Sequence, residues 1–161
     1  MGIFTASKTK LYMTATTVVP ATLDVAGYDA LVWVPIGSIE NLGAFGDAAS
    51  VVTFDDLADG RTKKLKGQRD AGNMELVLGL DDADAGQALL DTAYSDDSVG
   101  DYNFKVEFPN KLAINGQNAL RYFRGKVFTV RETVETANNV VRKNVTVGIS
   151  SPIVKKAATA S

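Results

Sequence analysis

Alternation of apolar and polar residues with a period of two recurs along the chain and indicates a mostly β fold. The alternation is strictest in residues 73–80, where every second side chain is apolar. That period is typical of a strand with one buried and one exposed face. The pattern predicts strands at residues 10–19, 31–34, 36–39, 51–54, 73–80, 102–108, 120–136 and 140–149.

Residues 83–94 carry the one convincing helix pattern. Leu89, Leu90 and Tyr94 form a narrow apolar stripe beside polar residues, as on a helix that covers one patch of a sheet. Aspartates at the start of this segment provide oxygens that cap free helix amides and oppose the helix dipole. These predicted cap residues are Asp81, Asp82 and Asp84. The predicted fold is therefore mostly β, a β-sandwich or partly closed barrel with one α-helix packed against it.

A charged segment, residues 55–72, lies between two of the predicted strands. Long loops without secondary structure are uncommon in small domains, and those that occur tend to be functional or disordered. Two interpretations are open, a solvated hairpin or an arm that docks on an acidic partner. The charged residues of this segment are Asp55, Asp56, Asp59, Arg61, Lys63, Lys64, Lys66, Arg69 and Asp70.

The length of 161 residues indicates a single domain, 1–161, and the polar segment 152–161 is predicted to be flexible. The absence of cysteine and histidine excludes disulfides, zinc sites built on these residues and imidazole-based catalysis. We predict no enzyme activity, no cofactor and no metal site. No apolar run reaches the roughly 20 residues of a membrane helix, so no membrane association is expected.

The net charge of −2 conceals an uneven distribution of charge along the chain. Residues 70–104 contain nine acidic and no basic residues, whereas residues 105–156 contain ten basic and three acidic residues. The opposite charges meet either within one fold or between identical neighbours in a head-to-tail contact. The small net charge also argues against a dedicated nucleic-acid binder.

The segment from Ile36 to Tyr94 resembles the major tail tube protein of long-tailed (siphovirus, lambda-like) bacteriophages. The resemblance continues into the aromatic strand 102–108 and covers about half of the chain. It rests on the order of a charged loop, an apolar strand and a helix that begins with an Asp-x-x-Asp-x-Gly-Gln pattern. The matching positions are Asp56, Leu57, Gly67, Asp70, Gly72, Asn73, Asp81, Asp84, Gly86, Gln87 and Leu90.

The resemblance implies a structural virion protein of the phage tail, made in the host bacterial cytoplasm. Such a subunit would form hexameric rings that stack into a tube, through which DNA passes without specific binding during ejection. It further implies that the charged loop reaches an adjacent ring as an inter-ring stacking contact, and that tape measure and tail terminator proteins are partners.

An alternative from another class is a monomeric β-sandwich binding module for a carbohydrate or a protein surface. Its contacts would be exposed aromatic residues, for which Trp33, Tyr12 and Tyr122 are the candidates. Aromatic rings supply large contact area together with a polar handle. The two hypotheses differ in oligomeric state, because the binding module would stay monomeric at high concentration.

Overall fold

The computed structural model describes residues 3–161 and contains ten strands and two helices within that range. In chain order these are β1 (Lys10–Met13), α1 (Val25–Asp29), β2 (Val34–Ile36), β3 (Ile39–Asn41), β4 (Ala48–Asp56), β5 (Arg61–Asp70), β6 (Asn73–Gly79), α2 (Ala85–Ser95), β7 (Tyr102–Glu107), β8 (Leu120–Thr133), β9 (Arg142–Ile149) and β10 (Val154–Lys156).

Eight strands form one antiparallel sheet in the order β2-β1-β7-β8-β9-β6-β3, with β10 paired to β8. Strands β4 and β5 form a separate hairpin between β3 and β6. The central strand β8 is long enough to pair with β7 on one side and with both β9 and β10 on the other. The body of the protein is thus a single sheet, and the hairpin is an excursion from it.

The sheet is curled so that its two edges come together. Strands β2 and β3 lie at opposite ends of the strand order, yet only Gly37 and Ser38 separate them in the chain. Three Cα–Cα steps span at most about 11 Å, so the two edge strands must be neighbours in space. We call this junction the seam. No ladder pairs β2 with β3, and the barrel therefore stays open.

Helix α2 is held on the seam by hydrogen bonds from its first turn. The N-cap residue Asp84 accepts hydrogen bonds from the amide of Gly37 at 2.9 Å and from the amide of Gln87 at 3.0 Å. The buried side-chain amide of Gln87 donates to the carbonyls of Gly37 and Gly79 at 3.2 and 2.8 Å. A Cβ on Gly86 would lie 2.3 Å from the carbonyl oxygen of Pro35. The helix therefore needs glycine there to approach the edge strand.

The core lies between the curled sheet and α2. It is closed by aromatic contacts such as Phe104 with Phe123, whose ring centroids are 5.5 Å apart. The buried cluster comprises Leu11, Met13, Ile36, Met74, Leu76, Leu78, Leu90, Ala93, Tyr102, Phe104, Val106, Phe123, Val127, Val145, Val147 and Ile149. Lys143 also points inward and is 2% exposed, and its ammonium lies 3.0 Å from the Asp91 carboxylate on α2. This ion pair fastens the middle of the helix to β9.

The predicted fold class is confirmed, since the chain is mostly β, antiparallel and not closed into a barrel. The prediction of one helix is wrong, because residues 25–29, which belong to no predicted strand or helix, form α1. A register shift in β8 between Val127 and Thr129 turns Val130 toward Val145 and the core, whereas strict alternation would place Val130 on the face opposite Val127.

The last ten residues are attached to the body at two points, one in the sheet and one in the loop before β8. Strand β10 pairs with β8, and the backbone amide of Thr159 donates to the carbonyl of Gln117 at 3.0 Å. Short edge pairings of this kind open readily. The flexibility predicted for residues 152–161 in solution therefore stays a prediction.

We expect Gln87→Leu to lower the free energy of unfolding by about 2–4 kcal/mol. The substitution keeps the side chain's volume but leaves the carbonyls of Gly37 and Gly79 without partners, and each buried unpaired group costs about 1–3 kcal/mol. Urea unfolding is the measurement. The matched control is Gln68→Leu at an exposed position, where we expect a change within about 0.5 kcal/mol. Equal effects of the two substitutions would contradict a special role for the seam.

Candidate assembly interface

The β4–β5 hairpin, residues 48–70, stands away from the body, and we call it the arm. The strands pair with each other from Ala48 with Asp70 to Asp56 with Arg61, and none of the arm residues is buried. Most of residues 55–72, expected from the sequence as a loop, therefore lie in strands, which agrees with the hairpin interpretation. Strands of nine or ten residues span roughly 30 Å. The arm is long enough to reach a neighbouring molecule.

The tip of the arm is held by its own polar groups. The Asp56 carboxylate accepts a hydrogen bond from the amide of Ala58 at 2.9 Å, and Gly60 adopts a positive φ of 61° to complete the turn. The ammonium of Lys63 lies 2.7 Å from Asp56 and 3.0 Å from Asp59. The pKa of Lys63 is raised by its hydrogen bond to Asp56 and then by that to Asp59. The charge of Lys63 is thus neutralised within the arm.

The two faces of the arm differ in chemistry. The apolar face carries Val52, Phe54 and Leu65, which are 48%, 59% and 59% exposed. The pairs Val52 with Leu65 and Phe54 with Lys63 place these side chains together, because positions two apart in a strand share a face. The opposite, basic face carries Lys64 and Lys66 beside Val51, Thr53, Asp55 and Thr62. Among residues 3–161, neither Lys64 nor Lys66 takes part in a salt bridge.

Glycines with positive φ flank the arm on both sides. Gly43 and Gly46 precede it with φ of 71° and 148°, and Gly72 follows it with φ of 69°. A polar cleft of about 570 Å³ separates the base of the arm from the segment 149–152 of the body. The arm contacts the body only around this base. Few packing contacts therefore hold the arm in place.

The remaining predicted site residues fall into separate places. Asp84 is the N-cap of α2, Asp81 accepts from the amide of Ala83 at 3.0 Å, and Asp82 is exposed. Arg69 and Asp70 lie at the base of the arm and line its cleft. The structure thus places the arm residues on one hairpin and the cap residues at the start of α2, with β6 between them in the chain.

The aromatic residues considered for the binding module do not form an exposed platform. Tyr122 is fully buried beneath Tyr28 of α1, with ring centroids 5.1 Å apart, and its hydroxyl donates to Asp29. Burial and the Asp29 carboxylate raise the pKa of Tyr122. Trp33 is half-buried against Tyr122. The expectation that Tyr122 is exposed is therefore wrong, and this cluster serves to attach α1 to the outer face of the sheet.

Residues 3–161 contain neither a candidate metal site nor a candidate membrane-spanning helix. No group of three or more metal-ligating side chains is present there. No helix in the same range is long and apolar enough to cross a membrane.

The fold is similar to solved components of phage tails and injection systems. A chain of the anti-feeding prophage baseplate has a TM-score of 0.70 at 12% identity over 98% of both chains. The sheath/tube terminator structure of an extracellular contractile injection system, PVC, gives 0.68 at 9% identity over 96% of this chain and 97% of that chain. The SPP1 tail tube gives 0.60 at 11% identity over 92% and 76%. No family model and no curated protein matches the chain.

Sequence identities of 9–12% establish only a shared fold. The function has to be argued from the surfaces and contacts of this chain. These solved structures are baseplate, terminator and tube components, and none of them is an enzyme. The anti-feeding prophage and PVC structures match with higher TM-scores than the SPP1 tail tube. The similarity therefore supports the tail-tube-like fold in general and does not single out long-tailed phages.

We expect the amides of the arm to exchange with deuterium faster than those of β6 and β9 in the isolated chain. A two-stranded hairpin without a packed face is marginally stable in water, whereas β6 and β9 pair on both sides within the sheet. Hydrogen exchange followed by mass spectrometry measures both regions in one experiment. Equal protection of the arm and of β6 in the monomer would show that the arm has support of its own.

Proposed function

We propose that this chain is the structural subunit of a tail tube, which assembles into stacked hexameric rings that form a conduit for DNA. The free-standing arm carries this proposal, because it exposes five large apolar side chains that the body of the same chain leaves uncovered: Val51, Val52, Phe54, Leu57 and Leu65. A protein surface of this kind marks an interaction site. The tail-tube-like fold gives independent support.

The arm is the proposed inter-ring stacking contact. Its apolar face would bury Val52, Phe54 and Leu65 against a neighbouring subunit, each contributing about 1.5–3 kcal/mol when fully buried. The free edges of β2 and β3 at the seam offer backbone groups for contacts between subunits in one ring. Arm and edges together provide the two kinds of contact that a stack of rings requires.

The wall of the conduit is proposed to be the outward face of β6, β9 and the end of β8 from Thr129 to Thr133. Hydrogen bonds such as Thr146 to Glu75 at 2.8 Å and Asn144 to Thr133 at 2.7 Å satisfy its side chains within the face. A wall of mainly uncharged polar groups would hold few phosphates, and DNA could pass without salt-dependent retention. Arg131 is the one exposed basic residue on these strands, since Arg142 pairs with Glu40.

The proposed location is the tail of a virion, with tape measure and tail terminator proteins as partners. The similarity to a terminator structure supports this, because a tube must end on a surface that matches its own subunits. The binding-module alternative lacks a comparable observation, since Tyr122 is buried.

Electron microscopy of negatively stained protein over a range of concentration and salt tests the proposal. We expect rings or hollow tubes with sixfold symmetry. A protein that remains monomeric at all concentrations, even after addition of preformed rings as seeds, would contradict self-assembly.

We expect the double substitution Phe54→Ser and Leu65→Ser to abolish stacking while the monomer stays folded. Both side chains lie on the apolar face of the arm and outside the core, so thermal unfolding of the body should change little. Tube formation is scored by electron microscopy and sedimentation. The matched control is Val134→Ser with Val140→Ser, which are 75% and 61% exposed near the turn between β8 and β9. Normal tubes from the arm variant would rule out the apolar face as a contact.

A further inference from the structure

A cleft of about 560 Å³ lies where the C-terminus of α2 meets the middle of β8. Tyr94 and Phe128 form its aromatic walls and are 51% and 56% exposed. Val99 lies between the lining residues Ser98 and Gly100 and is 96% exposed. Two large aromatic side chains thus line one concave surface, with the exposed Val99 beside it, and nothing in residues 3–161 covers this surface.

The backbone holds Phe128 in this outward position. The register shift in β8 between Val127 and Thr129 directs Phe128 over Gly148 of β9. A Cβ at Gly148 would lie 2.0 Å from the Phe128 ring, so only glycine permits this contact. Bulges commonly re-aim a side chain at a functional surface. The aromatic wall of the cleft is therefore preorganised rather than a loose exposed ring.

The cleft also carries uncompensated negative charge. The Asp96 carboxylate accepts hydrogen bonds from the amide of Ser98 and the hydroxyl of Tyr102, both at 2.9 Å, and these hold its pKa below the usual range. Asp101 forms a salt bridge with Lys126. Asp97 takes part in no salt bridge among residues 3–161. Lys126 thus balances the carboxylate of Asp101, and those of Asp96 and Asp97 are left without a salt bridge among residues 3–161.

We propose that this cleft receives the basic face of the arm of a second copy of the chain. Lys64 and Lys66 form no salt bridge within residues 3–161 and would meet the carboxylates of Asp96 and Asp97. Val51, which pairs with Lys66 on the same face and is 65% exposed, would contact the aromatic walls. The lysine stems can pack on the rings of Tyr94 and Phe128 while the ammonium groups reach the acidic rim.

Charge distinguishes this cleft from another cleft of the body. The cleft of about 460 Å³ beside Phe45 and Phe108 is lined by two basic residues, Arg121 and Lys155, and one acidic residue, Asp47, so its excess positive charge would repel a basic face. The arm and the acidic cleft are different surfaces of one chain, so their contact is heterologous and can repeat from subunit to subunit. This inference rests on the proposed self-assembly, to which it adds the receiving surface.

A charge-swap series tests the electrostatic part. We expect Lys64→Glu, Lys66→Glu and Asp97→Lys to raise the critical concentration for assembly about tenfold or more at low salt. Combining Asp97→Lys with one of the two arm substitutions should restore assembly, because opposite charges face each other again. Lys155→Glu, an exposed lysine outside both surfaces, is the control. Failure of both combinations to recover assembly would overturn the pairing, and thermal unfolding verifies that each variant is folded.

Disulfide trapping tests the geometry, because the natural chain has no cysteine. Val51→Cys is introduced in one population and Val99→Cys in another, and the two are mixed, assembled and oxidised. We expect a mixed dimer, with none when Ile114→Cys, 89% exposed elsewhere, replaces Val99→Cys. Tubes without the mixed dimer would overturn this inference and leave the proposed function standing. Absence of both tubes and dimer would overturn both.

Discussion

The hydrogen bonds that bind α2 to the seam are the constraint on which the rest of the structure depends. Through Gln87 and Asp84, one helix turn contacts Gly37 between the edge strands and Gly79 at the end of β6. The arm leaves the sheet after β3 and returns into β6, which are paired neighbours at this edge. The seam therefore determines the curvature of the sheet, closes the core beneath the helix and sets the place from which the arm extends.

The molecule divides into a body with a contiguous buried core and an arm with none. The core of the body packs its apolar cluster beneath α2, where even the buried Lys143 is paired with Asp91. The arm leaves both an apolar face and unpaired lysines in water, an arrangement that is unfavourable in a monomer and useful only if another surface covers it. Association must also offset the loss of translational and rotational freedom. A subunit with several weak contacts of this kind assembles when many copies are present and stays soluble when they are few.

The elements with strong local patterns were predictable, and the exceptions have identifiable causes. Helix α1 has five residues and no apolar period, and its sequence signal is limited to Asp24, whose carboxylate accepts from the amide of Gly27 at 2.9 Å. It is held by the stacking of Tyr28 on Tyr122, a contact between distant parts of the chain. Val130 faces the core because one extra residue in β8 reverses every later side chain, and alternation along the chain does not show that extra residue. Alternation along β9 places Lys143 on the inward face with Val145 and Val147, but its partner Asp91 lies on α2 and has no local signal.

Local chemistry was enough to specify the strands with strict alternation, the helix with its aspartate cap, the lack of cysteine and histidine chemistry and the existence of a charged segment between two strands. These follow from neighbours in the chain, whose spacing is the same in any fold. The curl of the sheet, the amphipathic character of the arm and the acidic cleft beside Phe128 arose from three-dimensional packing. Each depends on register between segments far apart in sequence, and a single-residue shift in register changes which side chains share a face.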